Sequence, residues 1–210
     1  SLANFSERDY IELKPLILDR SISEIQAAVN AGDLSYERLV TFYIFRIREI
    51  ESDNQRALNS VIALNPEVID RARLLDEIHQ AGNGTALDSV FGIPVLLKDN
   101  IGVEGMATTA GALALQGNHT ANSFIADRLL EKGAIIIGKA NLSEWAYFFC
   151  NDCPSGYSAI GGQTLNPYGR FEFGTGGSSA GSGASTAANY ATVAIGSETS
   201  GSILSPSSAN

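Results

Sequence analysis

The chain has 210 residues, 44% hydrophobic and 18% charged, and its 14 Lys and Arg against 23 Asp and Glu give a formal charge of −9. This length holds one sizeable core, and the composition excludes intrinsic disorder. The acidic charge argues against a nucleic-acid backbone as partner, and no apolar run approaches the ~20 residues of a membrane span.

The first ~80 residues read as helices by their apolar spacing. Ser21 and Glu24 form a capping-box pattern before Ile25, Ala28 and Val29, and Gly32 ends that helix. Ser35 caps the next, with Leu39, Phe42, Tyr43, Ile47 and Ile50 on one face. Asn65-Pro66 predicts an N-cap and a proline at the first helical position, with Val68, Ala72, Leu75 and His79 along one stripe and Gly82 closing it. After Gly82 the texture changes. Pro94–Leu97 and Ala134–Ile137 are short apolar runs that predict buried strands. Ser123–Lys132 predicts a helix between them, Ser143-Glu-Trp-Ala a short helix, Ala180–Tyr190 another helix, and Ala191–Ile195 a third strand. Strands alternating with helices predict an α/β fold. The simplest organisation is one domain over 1–210, with a helical portion over 1–82 and a sheet portion over 83–210 that carries the motifs.

Gly174-Thr-Gly-Gly-Ser-Ser-Ala-Gly-Ser-Gly183 lacks the Lys-Ser/Thr of a phosphate-binding loop. Gly177-Ser-Ser-Ala-Gly181 matches G-x-S-x-G around Ser179, but no His follows it and no good strand precedes it. A Ser-x-x-Lys pair is excluded, because Ile11, Val95, Leu129 and Ile136 stand three residues before the four lysines. Any lysine that activates a serine here therefore comes from a distant part of the chain. Lys98 is the best candidate, since it follows Val-Leu-Leu at the end of a predicted buried strand, where α/β sheets place their sites. Desolvation there lowers a lysine's pKa and lets the neutral amine act as a base; the alternative is a lysine reaching out from a strand end. Ser202 is the best nucleophile. It follows Gly201 in a Ser/Gly turn whose successive amides, those of Thr199, Ser200, Gly201 and Ser202, can converge on an oxyanion. The alternative is a Ser/Gly loop with no role. Cys150 and Cys153 lack the setting of a redox pair, and a zinc site has only His79 and His119 to add to them, so two thiols lining a loop is the default reading.

Five ordered blocks make the chain resemble the amidase signature family from Gly92 to Asn210. They are Gly92-Ile-Pro-Val-Leu-Leu-Lys-Asp-Asn-Ile101, Gly138-Lys-Ala-Asn-Leu-Ser-Glu-Trp-Ala146, Gly161-Gly-Gln-Thr-Leu-Asn-Pro167, the Gly-Gly-Ser-Ser block and the Ser202 loop. The resemblance implies a mixed central β-sheet flanked by helices, of which this chain would hold only the N-terminal half. It implies a Ser, cis-Ser, Lys triad on Ser202, Ser178 and Lys98, with the peptide bond entering Ser178 in cis. It also implies an acyl-enzyme on Ser202, with Ser178 and Lys98 as proton relay, no cofactor and no metal.

The common pattern has Gly-Gly-Ser-Ile-Arg around the nucleophile; here it is Ser200-Gly-Ser-Ile-Leu204. Ser200 need only supply its amide, while Leu204 removes an arginine that could hold an anionic substrate. With Asn141-Leu-Ser-Glu-Trp145 and Ser155-Gly-Tyr-Ser-Ala-Ile-Gly-Gly-Gln163, the variant is most similar to the peptide amidases. The resemblance therefore implies a small-molecule or peptide amide as substrate, hydrolysed to carboxylate and ammonia. Two alternatives stand beside it: an amidotransferase A-type subunit that hands its ammonia to a partner, and an inactive fragment that needs the remaining half of the family's length. No signal peptide is visible and the chain opens on Ser1 rather than Met, which leaves a soluble protein of unknown compartment, cytoplasmic or exported after processing.

Overall fold

The computed structural model describes residues 5–83, 90–149 and 152–210. Three helices lead in: α1 (Glu7–Ile17), α2 (Ile22–Asn30) and α3 (Tyr36–Glu51). Side chains that accept the unpaired N–H groups of a first turn set where they start. Ser21 and Glu24 form the expected capping box, Ser6 and Asp9 form another ahead of α1, and Ser35 accepts from Arg38 N at 3.2 Å. Gly32 ends α2 with φ 80°, a conformation that favours a residue without Cβ.

The helical reading of the first ~80 residues breaks at one place. Val61–Leu64 is a strand, β1, whose four residues are too few to show a period of their own. The next helix, α4 (Val68–Ile78), starts after Glu67 rather than at Pro66. Asn65 joins strand and helix: its Nδ2 donates to Ile136 O at 2.9 Å and its N–H to Ile137 O at 2.9 Å, which extends the strand pairing, while its Oδ1 accepts from Glu67 N at 3.0 Å in the turn that leads into α4. Asp76 of α4 reaches back and accepts from Tyr36 and Glu37 N at 2.7 and 3.0 Å, which ties the start of α3 to α4.

The remaining elements are β2 (Pro94–Lys98), α5 (Phe124–Glu131), β3 (Ile135–Ala140), the two-residue strands β4 (Tyr157–Ser158) and β5 (Gly162–Gln163), α6 (Ala180–Ala187), β6 (Val193–Ile195) and α7 (Leu204–Ala209). The main sheet has the order β1-β3-β2-β6. β1 runs antiparallel to β3, while β2 is parallel to both β3 and β6, so the sheet is mixed. Every residue of β2 and β3 is buried, as their continuous apolar runs predict. One core packs α1 to α4 on the face that carries Leu96, Ile135 and Ile137. A second, smaller core packs α5 on the face that carries Val95, Leu97 and Ile136.

A bulge in β3 decides which lysine faces which layer. Val95 pairs with Ile136 but Leu96 pairs with Gly138, so the register slips by one and the later side chains of β3 exchange faces. Lys139 then pairs with Leu97, and Ala140 with Lys98. The two lysines leave the same end of the sheet on opposite faces.

Ser143-Glu-Trp-Ala does not form the predicted right-handed helix. Trp145, Ala146 and Tyr147 have φ of 53°, 52° and 70°, a left-handed turn that costs roughly 1–2 kcal/mol per residue. Tertiary bonds impose it: Trp145 N donates to Ala110 O at 2.9 Å, Ser143 N to Ser178 O at 3.0 Å, and the Glu144 carboxylate accepts from Ala159 N at 2.7 Å. Cys153 is disulfide-bonded, which corrects the expectation of two thiols, and Cys150 lies outside the described residues.

Candidate active site

β2 delivers Lys98 to the C-terminal end of the parallel strands with no surface exposed to solvent. Its Nζ donates to Ser178 Oγ at 2.6 Å and to Ser197 O at 3.2 Å. Burial without a carboxylate partner lowers its pKa from the ordinary lysine value to about 8. Lys139, equally buried, has a different setting. Its Nζ lies 2.9 Å from Asp99 Oδ1, and the attraction of that carboxylate opposes the lowering caused by burial. Asp99 is held in turn by the N–H and hydroxyl of Thr109. The structure therefore brings Lys98, not Lys139, against a serine.

Ser178 and Ser179 form the turn directly before α6, and their hydroxyls go to different partners. Ser178 is fully buried on Lys98. Ser179 Oγ donates to Ser197 O at 3.1 Å and accepts from Ser197 N at 3.2 Å, which clasps the segment after β6. This geometry leaves Ser179 no role as the serine of a nucleophile elbow. The expected cis bond before Ser178 is not found, because no peptide bond among the described residues is cis. The trans form is the ordinary one for a bond without proline, and Ser178 meets Lys98 with its peptide bond trans.

Ser202 lies directly against this block. Ser179 N donates to Ser202 O at 3.0 Å. A Cβ placed on Gly177 would meet Gly201 O at 2.6 Å and Ser202 Cα at 2.9 Å, so glycine permits the approach of the two backbones. Gly201, with φ 78°, makes the turn into α7. Of the four amides expected to serve an oxyanion, that of Gly201 donates to Glu198 Oε1 at 2.9 Å. The amides of Thr199, Ser200 and Ser202 have no hydrogen bond to another described residue. Ser202 itself is partly exposed. Beside it, a cleft of about 410 Å³ opens between α6, β6 and α7, with Ser179, Ser182, Gly196, Ile203 and Pro206 in its wall.

Lys98 from β2 and Ser178 ahead of α6 thus meet through their side chains, and the loop before α7 lays the backbone of Ser202 against Gly177 and Ser179. Sequence reasoning gave no role to Ser197, Glu198, or the Asp99–Lys139 pair. The signal for Glu198 was an acidic residue just ahead of a predicted Ser/Gly turn, the usual place for a side chain that accepts turn amides.

The comparisons with known proteins agree with this architecture. The family model described as Amidase matches residues 38–210, and the chain belongs to the amidase family. A probable amidase of Arabidopsis thaliana is 41% identical over 196 residues, which is 92% of this chain and 37% of that protein. The crystal structure of an amidase family protein from Bacillus anthracis superposes with a TM-score of 0.91 at 38% identity, covering 97% of this chain and 40% of that one. The native peptide amidase from Stenotrophomonas maltophilia superposes with a TM-score of 0.84 at 45% identity, covering 89% of this chain and 38% of that one. The chain therefore spans about two-fifths of the length of these relatives, and its mixed sheet is part of a larger amidase fold.

Proposed function

We propose that the intact protein hydrolyses a carboxamide, with a C-terminally amidated peptide as the leading substrate, through an acyl-enzyme on Ser202. The observation that carries this reading is the 2.6 Å contact between Lys98 Nζ and Ser178 Oγ, both without solvent exposure, beside the Ser202 loop. A lysine with pKa about 8 is substantially neutral in mildly alkaline solution, and the neutral amine accepts the Ser178 proton. Ser178 in turn takes the proton of Ser202, whose Oγ attacks the amide carbonyl. The C–O bond forms as the carbonyl π pair moves to oxygen. The amides of Thr199, Ser200 and Ser202 supply the donors for that oxygen, while that of Gly201 is taken by Glu198. Collapse of the intermediate expels ammonia, which takes the relayed proton, and water then releases the carboxylate from Ser202.

Leu204 supports an uncharged or peptidic substrate, because no cation stands at that position in the loop. The 45% identity to a peptide amidase supports the same substrate class. The test is incubation of the intact protein with C-terminally amidated peptides, with glutamine as the competing donor, and assay of ammonia. Release from peptide amides and none from the Ser202→Ala variant is the expected result. Release from glutamine alone would favour the amidotransferase reading, and activity that survives Ser202→Ala would overturn the nucleophile.

A further inference from the structure

Glu198 lies just upstream of Ser202 and takes no part in the proton relay. Its side chain turns back over its own loop. Oε1 accepts the Gly201 N–H at 2.9 Å, and Oε2 accepts the N–H groups of Ile203 and Leu204 at 2.6 and 2.8 Å. These amides flank Ser202 on both sides. The same three bonds hold the carboxyl below the usual carboxylate range.

The loop has little else to fix it on that side. Thr199, Ser200, Ile203 and Leu204 are exposed, and Gly201 has open space where a side chain would be. The carbonyl side is held by other residues: Ser179 N donates to Ser202 O at 3.0 Å, and Ser205 N to Gly201 O at 2.9 Å. Carbonyls and amides of one short turn are thus gripped from opposite directions. The amides of Thr199, Ser200 and Ser202 are the ones that neither grip engages.

We propose that Glu198 is a positioning residue for the reaction, clamping the amides on both sides of Ser202 so that the nucleophile and the three open N–H groups are fixed before substrate arrives. This inference rests on the reading of Ser202 as nucleophile. Two acceptor oxygens are needed, one for Gly201 and one for the Ile203–Leu204 pair. Glutamine keeps a single acceptor and sets an NH2 against N–H donors. Aspartate keeps both oxygens on an arm one methylene shorter.

The test compares kcat, KM and Tm for ammonia release from an amidated peptide by the intact protein and its Glu198→Gln, Glu198→Asp and Ser202→Ala variants. Expected for Glu198→Gln is a fall in kcat of about 10- to 100-fold, the scale of a displaced reacting group, with KM changed less than about twofold and Tm shifted by no more than a few degrees. Glu198→Asp should recover part of the lost kcat. If Glu198→Gln does not fold, Glu198→Asp decides by the same split. Wild-type kcat in the folded variant, a loss of kcat that only follows a loss of Tm, or failure of both variants to fold would each overturn the proposal. Ser202→Ala keeps the two readings apart: its retention of activity removes the nucleophile, whereas an inactive Ser202→Ala beside a fully active Glu198→Gln removes only the clamp.

Discussion

Lys98 and Lys139 are both fully buried at one end of one sheet, and the carboxylate of Asp99 belongs to Lys139. This asymmetry separates Lys98, the base of the proposed reaction, from a lysine paired with a carboxylate. A folded pKa of about 8 against an ordinary value of 10.5 means that the unfolded chain binds more protons at Lys98 between those pH values, so wild-type stability rises as pH climbs through that window. Lys98→Met should therefore remove activity while stabilising the fold most at and below pH 8. The gain is roughly 3 kcal/mol from the missing buried charge, less ~1 kcal/mol for each hydrogen bond lost to Ser178 and Ser197. Urea unfolding at pH 7 and pH 10 checks it: the advantage of the variant must shrink at the higher pH. In the wild type, kcat/KM should rise with pH through about 8, as the neutral amine accumulates. Lys139→Met has the opposite consequence for stability. It leaves Asp99 buried without its cation, and the expected loss is about 3–5 kcal/mol, read as a fall in Tm.

At the scale of elements, the site is built by backbones that touch, and glycines mark where. Gly177 runs against Gly201 O and Ser202 Cα, and Gly181 of α6 runs against the backbone of Asn141 and Ser60 O, where an added Cβ would come within 2.3–2.6 Å. These contacts cannot be relieved by a rotamer change. Gly181→Ala should cost at least about 2 kcal/mol, whereas Gly105→Ala, at φ 82° with open space around it, should cost only the conformational ~1 kcal/mol. Thermal denaturation of the two variants side by side distinguishes contact from conformation. The same division governs what the sequence could reveal. Caps at Ser21 and Ser35 and the buried runs of β2 and β3 were legible because the information is local. The two partners of the Lys98–Ser178 contact were legible, Lys98 from its place at the end of a buried strand and Ser178 through the family resemblance. The strand β1 and the left-handed turn at Trp145–Tyr147 were not, because pairing with β3 and a bond to Ala110 O respectively decide them, and for Glu198 the sequence signals an acceptor of turn amides without telling which amides it takes. The β3 bulge that sends Lys139 away from Lys98 leaves no mark on a run of three isoleucines.

At the scale of the molecule, the sheet ends on β6, which pairs with β2 on one side and offers its other edge unpaired among the described residues. All three of its residues are only half-buried. The cleft between α6, β6 and α7 opens on the same side, and Leu204 of α7 is 72% exposed. Tyr168, in the wall of the cleft with Val193 and Ala194, is 71% exposed. A free strand edge beside exposed apolar side chains is an invitation to pair with another chain. The relatives are more than twice as long, and the proposal that follows is that the additional chain covers this face in the intact protein. The 210 residues expressed alone should then bind a hydrophobic dye, elute on size exclusion at a mass that rises with concentration, and release no ammonia from amidated peptides. The intact protein at equal concentration should bind little dye and turn over substrate. A 210-residue species that stays monomeric and dye-free would show that the β6 face needs no cover. If it also matched the intact protein in turnover, the whole of the catalytic apparatus would lie in β2, the turn before α6 and the loop before α7.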